Sequence, residues 1–279
     1  MKEYLIMYDS GCDMSENILC NIPVVRVPIT LTLQNKNYTD DGNMDLDSFL
    51  AEMKACPTSP KSSAPSPALY IQHFNKADKI FIITISSKIS STYNNALLAK
   101  KLYHETNPDK FIEVIDTKSA SVGGSLVVQY LHNLLQLNIP AAEAAQQTKQ
   151  HVQNLNTLFV IDDLSNIKKS GRLSHLSSVV ASILNIKPLF GDDDGDIVMK
   201  EKIRGYRKAL DRMLVKIGET KNINFENRIL AVAYCKAANI AKHFAQKATD
   251  LYNFKDAFTV EMKPTISTFA NIKGILISY

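Results

Sequence analysis

Five hydroxyl side chains crowd one short stretch: Ser86, Ser87, Ser90, Ser91 and Thr92 lie within ITISSKISSTYNNA, residues 83–96. They follow apolar and β-branched residues and precede a helix-like run, which places them at a strand-to-helix turn. Hydroxyls at such a turn satisfy the first free N–H groups of the helix. One or two would suffice for that, and the others are available to a ligand. Two further strand ends have the same polar character, MYDSGCD (7–13) and VIDTKSASVGG (114–124), and KSSAPSP (61–67) places Ser62 and Ser63 in a proline-rich loop.

Several familiar chemistries lack their residues. There is no G-x-G-x-x-G after the first strand and no G-x-x-x-x-G-K-[ST], and Val122-Gly123-Gly124 is too short to cradle a pyrophosphate. No cofactor is therefore expected. No G-x-S-x-G elbow exposes a serine. The six histidines have no mutual metal spacing, so no metal site is expected. GDDDGD (191–196) lacks the length and terminal Glu of an EF-hand loop; it is read as a solvated hairpin tip turning at Asp194-Gly195. What is left is a hydroxyl-rich site with no fixed cation, no metal and no evident base. Such a site suits a weakly acidic head group held by neutral hydrogen bonds and a helix N-terminus. Most of the affinity would then come from an apolar ligand body.

Two competing readings remain at this level. A serine hydrolase using Ser87 or Ser90 needs a base within hydrogen-bond reach. Nucleic-acid binding through NIKKSGR (166–172) and KIRGYRK (202–208) lacks the aromatic interleaving of single-strand binders,. An esterase assay and a salt-dependent DNA shift would separate them.

The elements that must position these residues are legible in outline. The chain has 279 residues, 45% hydrophobic and 22% charged, with a net charge of +4. That is ample for two globular domains, and the charge is too weak to argue for nucleic acid. No apolar run approaches a membrane-spanning length, and the start is too short for a signal-peptide core. The cysteines Cys12, Cys20, Cys56 and Cys235 form no C-x-x-C and are read as reduced thiols of a cytoplasmic protein. Strands are expected at 4–8, 24–33, 79–85, 111–116 and 157–162. Helices are expected from Ser15, at 46–55, after Ser66-Pro67, at 90–105, 121–135 and 140–155, and Ser91 and Thr92 are read as caps. Residues 54–70 otherwise read as a loop. This alternation predicts βαβ units and a mainly parallel sheet, whose carboxyl ends should gather the three polar clusters on one edge. Beyond it, Ser170-Gly171 breaks one helix and Ser174 starts another. IKPLF and IVMKEKIRG flank the hairpin turn, and the rest reads as an α/β or α+β domain. The division expected is residues 1–158 and 159–279.

These segments resemble the DegV family of lipid-binding proteins, which includes the fatty-acid-carrying subunits of bacterial fatty acid kinase. MYDSGCDMS is similar to D-S-x-x-D-L, KSSAPSP to K-T-S-Q-P-S-P, and ITISSKISSTYNNA to I-S-S-x-L-S-G-T-Y-x-S-A. VIDTKSASVGGSLVV, NIKKSGRLSHLSSVVASILNIKPLF and KIRGYRKAL each resemble further family motifs, in the family's order. The resemblance implies a non-catalytic protein of two α/β domains with a long-chain fatty acid between them. Its carboxyl would be held at the interface by Ser62 and Ser90, beside Ser63. Burying roughly 14 methylenes at about 0.8 kcal/mol each would give on the order of 11 kcal/mol before ordering costs. It also implies a kinase partner met through Arg172 and Arg204, which on their own read as a solvated helix end and a surface ion pair. Transient membrane contact and no nucleic acid are expected. The family's closing P-V-I-G-x-H-x-G-P-G departs here to PTISTFANIKG, with Phe269 at the histidine position. Binding does not need that imidazole. Phosphoryl transfer to the carboxylate would, so a carrier or sensor uncoupled from a kinase is the alternative.

Overall fold

The computed structural model describes residues 2–15, 21–173 and 185–279. The helices read as opening at Ser15 and at Ser174 lie outside these residues. The chain begins with β1 (Lys2–Asp9), whose Leu5, Ile6 and Met7 are buried. Pro28, which has no N–H to donate, interrupts the long strand expected over 24–33. The result is two strands, β2 (Val24–Val27) and β3 (Thr30–Leu33), which join different sheets. β4 (Lys36–Thr39) follows, and then α1 (Leu46–Ala55), capped by the Asp45 carboxylate accepting from the Asp47 N–H. The stretch expected to be a loop holds a three-residue strand, β5 (Lys61–Ser63), paired antiparallel to β3 with Leu31 opposite Ser62. The short α2 (Pro67–Ile71) starts at Ser66-Pro67 as expected, although Ser66 makes no side-chain cap bond.

β6 (Ala77–Thr84), α3 (Thr92–His104) and β7 (Phe111–Asp116) form one of the expected βαβ units, with β6 and β7 parallel,. β2, β1, β6 and β7 lie side by side in that order, all parallel. Residues 80–84 of β6 are all buried, as befits a parallel strand covered on both faces,. Ala96 and Ala99 of α3, with Tyr70 and Phe74, cover the face of Leu5, Met7, Ile80 and Ile82.

The opposite face, including Ile6, Phe81 and Ile83, packs on α4 (Val122–Gln136), with α5 (Ala141–Gln153) beside it. α4 is buried for most of its length because it is wedged between two sheets. Gly123 and Gly124 permit this: a Cβ on Gly124 would stand 2.3 Å from Cys12 Sγ.

The second sheet is mixed. β8 (Thr157–Val160) leads to α6 (Ser165–Lys169), the hairpin β9 (Ile186–Asp193) and β10 (Asp196–Arg204), and α7 (Tyr206–Gly218). β11 (Ile229–Tyr234), α8 (Ala238–Tyr252), β12 (Asp256–Glu261), α9 (Pro264–Ala270) and β13 (Ile275–Ser278) complete it. Its order is β10-β9-β8-β13-β11-β12, so β13 sits in the middle between β8 and β11. α7 and α8 bury one face, through Met213, Leu214, Phe244 and Ala245. The other face, with Phe159, Phe190 and Leu276, joins the core shared with α4 and the first sheet. Cys12, Cys56 and Cys235 are free thiols.

Candidate functional site

The carboxyl ends of β1, β6 and β7 meet on one edge, as their polar character predicts. Asp9 at the end of β1 accepts from the Ile85 N–H (2.8 Å) and the Gly11 N–H (2.9 Å). The Ser86 N–H donates to Ser119 O (2.8 Å), and the Ser121 N–H to Gly11 O (2.7 Å). Three loops are thereby laced together before any ligand is considered.

The hydroxyl cluster divides its duties differently from the expectation. Ser91 occupies the cap position of α3 yet makes no side-chain cap bond, and Thr92 is buried as the first helical residue. Ser90 Oγ instead accepts from the Thr92 N–H (3.3 Å). Ser86 Oγ accepts from the Lys88 N–H (3.1 Å) and donates to Gly195 O (2.7 Å), tying the loop to the β9–β10 hairpin.

These loops roof a cavity of about 420 Å³ whose other walls come from the second sheet, α9, β5 and the segment that runs from α6 to Arg172. That lies within the range of small-molecule sites. Ser62, Ser87, Ser90, Ser91, Arg172 and Phe269 all line it. Ile85, Phe159, Ile161, Ile197, Met262 and Leu276 give it an apolar interior. Ser63 is exposed and is not among the lining residues. Arg204, at the end of β10, is likewise exposed and outside the lining.

Arg172 corrects the expectation of a site without a fixed cation, and it is no solvated helix end. α6 stops at Lys169, and Gly171 with φ +79° turns the chain so that Arg172 points inward,. Its Nη2 donates to Ser62 Oγ (3.0 Å), its Nε to Ile89 O (3.3 Å) and its Nη1 to Ser170 O (3.2 Å). The guanidinium also lies over the Phe269 ring, 4.8 Å from its centroid,. Burial lowers its pKa from the usual arginine value. A partly desolvated arginine next to a free-facing serine is a natural partner for a carboxylate.

Phe269 is placed by a helix absent from the sequence reading. α9 is short, with Pro264 at its first turn the single local signal,. Two carboxylates from the first half of the chain hold its start. Asp13 Oδ1 accepts from the Lys263 N–H (2.7 Å), and Asp13 Oδ2 accepts from the Ser121 hydroxyl (2.5 Å). Asp40 Oδ2 accepts from the Thr265 N–H (2.9 Å) and hydroxyl (2.5 Å), while its Oδ1 meets Arg26 Nη2 at 2.6 Å. Burial raises Asp13 to about 7 and Asp9 to about 6, against the lowering effect of their hydrogen bonds,.

The GDDDGD turn is not simply solvated. Asp194 is exposed, but Gly195 is buried against Ser86 and Lys118, and Lys118 pairs with Asp194. Gly195, Asp196 and Ile197 also line the cavity. Nothing in the local sequence marks that docking, because its partners lie 76 and 109 residues away.

Among the described residues, no group of three or more His, Cys, Asp or Glu could hold a metal, and no helix is long and apolar enough to cross a membrane.

A model of the DegV family, described as uncharacterised proteins, matches residues 3–279. A DegV domain-containing protein of Streptococcus gordonii is 31% identical over 289 residues, covering 98% of each chain. Among solved structures, the chain resembles a DegV family protein of Ruminococcus gnavus refined with vaccenic acid, at TM-score 0.94 and 28% identity over 99% of both chains. It also resembles the Streptococcus pneumoniae fatty acid kinase (Fak) B3 protein loaded with linoleic acid, at TM-score 0.92 and 27% identity over 99% of both chains.

Proposed function

Because this chain belongs to the DegV family, we propose that it binds one long-chain fatty acid and carries it for a fatty acid kinase, without itself catalysing a reaction. The observation that supports this most directly is the 420 Å³ cavity, apolar inside and ending at Ser62, Ser90, Arg172 and Phe269. The acyl chain lies along the apolar walls, and the carboxylate meets the Ser62 and Ser90 hydroxyls. Arg172 takes the place of the cation that the sequence seemed to lack: its guanidinium reaches both Ser62 and the ring at the histidine position. Arg204, exposed and apart from the cavity, is the residue of the pair that remains free to meet a partner. We place the protein in the cytoplasm, with transient membrane contact as the route by which the ligand arrives.

Kinase coupling and simple carriage differ at Phe269. A phenyl ring has neither donor nor acceptor for an acyl carboxylate, so loading is retained while phosphorylation is slow. Denaturing extraction of the folded protein followed by mass spectrometry tests the carrier reading. A stoichiometric long-chain fatty acid is expected. Repeated extracts without one, from protein that melts cooperatively, would overturn it.

A further inference from the structure

The floor of the cavity crosses adjacent strands in order. Leu276 stands on β13, Phe159 on β8, Gly191 on β9 and Ile197 on β10. Three strand spacings amount to about 14 Å, so the cavity traverses the sheet from the side of α9 and Phe269 to its edge strand. At that edge it meets the β9–β10 turn. The turn is fixed from across the interface by the Ser86 hydroxyl on Gly195 O (2.7 Å, buried) and by the Lys118–Asp194 ion pair. Gly195 has φ +90°, and a Cβ there would stand 2.6 Å from Ser86 Oγ and 3.2 Å from Lys118 Cα. The turn therefore closes on the first half of the chain with no room for a side chain.

Behind it lies a smaller, mainly polar pocket of about 160 Å³, lined by Thr117, Gln153 and Asp194 with Val152 and Leu155, and sharing Lys118, Thr157 and Asp192 with the main cavity. Those shared walls are polar. Ser119 Oγ and Thr157 Oγ1 are 2.8 Å apart, and Asp192 Oδ1 accepts from the Thr157 N–H at 2.9 Å. A methyl terminus pushed among these groups would leave apolar walls for polar ones and gain no further burial.

We propose that the β9–β10 turn, held by Ser86 and Lys118, is the stop that sets the longest acyl chain this protein accepts. The proposal rests on the fatty-acid reading and adds the determinant of its selectivity. Chains that end under Ile197 are accepted. Longer ones must lift the turn or enter the polar pocket.

The test is a competition series of saturated acids from myristic to behenic against a fluorescent fatty acid, read as the affinity ratio of behenic to palmitic acid. Taking a ratio cancels any uniform loss at the carboxyl end. Loosening the turn with Ser86→Ala plus Lys118→Glu should raise the ratio about fivefold or more, and filling the end with Ile197→Phe should lower it by a similar factor. Lys118→Glu alone, at an exposed pair, covers the case in which the double variant does not fold. Adding Asp194→Lys to it should return the ratio to the parental value. Variants that bind palmitic acid with the parental ratio would overturn the stop while leaving the carrier reading intact. A folded parent that binds no fatty acid would overturn both.

Discussion

Arg172 changes what the hydroxyls around it can do. A serine alone contributes a neutral hydrogen bond, so Ser62→Ala or Ser90→Ala should each weaken fatty-acid binding by about 0.5–1.5 kcal/mol. Arg172→Met removes a partly desolvated charge and should weaken it by about 1.5–3 kcal/mol. A fluorescent fatty-acid titration of the three variants checks the order; equal losses would mean that Arg172 serves the fold and not the ligand. Phe269→His should raise phosphorylation by a fatty acid kinase more than it raises lipid affinity. If the parent already turns over as fast as the variant, the ring is no obstacle. In the sequence Ser62, Ser90 and Phe269 could be placed at a head-group site through the family motifs, and all three line the cavity. Arg172 could not, because its destination is a contact with a residue 110 positions away. Asp40 was hidden for the same reason: its partner Thr265 is 225 positions off.

At the level of elements, what was legible followed from local pattern. β7 and α1 match their sequence readings residue for residue, since an alternating apolar strand and an amphipathic helix declare their own limits,. β5 and α9 escaped because a three-residue strand and a seven-residue helix carry too little periodicity to register. α9 depends on imported support instead, and that gives it a pH signature. Asp13, raised to about 7 by burial, binds a proton in the folded protein at pH values where the unfolded chain has lost it. Its contribution to stability is therefore fully present below the unfolded pKa of about 4 and lost as pH rises through about 7. Asp9, raised to about 6, acts in the same direction. We predict that the melting temperature of Asp13→Asn falls less between pH 5 and 8 than that of the parent, because an amide can keep both hydrogen bonds without ionising. Parallel melting curves across that range would show that Asp13 is already ionised in the fold.

On the scale of the whole molecule, ligand and fold should be linked. A ligand present at about 100 times its Kd adds about 2.7 kcal/mol to stability. Delipidated protein should then melt several degrees below the loaded form and recover on adding back a fatty acid. An unchanged melting temperature would mean that the folded state has no preference for the lipid. The arrangement of the second sheet has a consequence for how the chain is made. β13 follows every other strand of its sheet in sequence, yet it lies between β8 and β11. On a ribosome, β8 emerges more than a hundred residues before the strand that must pair with it. At roughly 5–20 residues per second, it waits several seconds or longer with that edge unpaired. The apolar flank of α4 that faces β11 and β13 waits with it. Vectorial synthesis therefore holds both halves open until the last strand appears. A nascent chain arrested before Gly274 should be cut readily by protease in either half, and one released beyond Ser278 should resist.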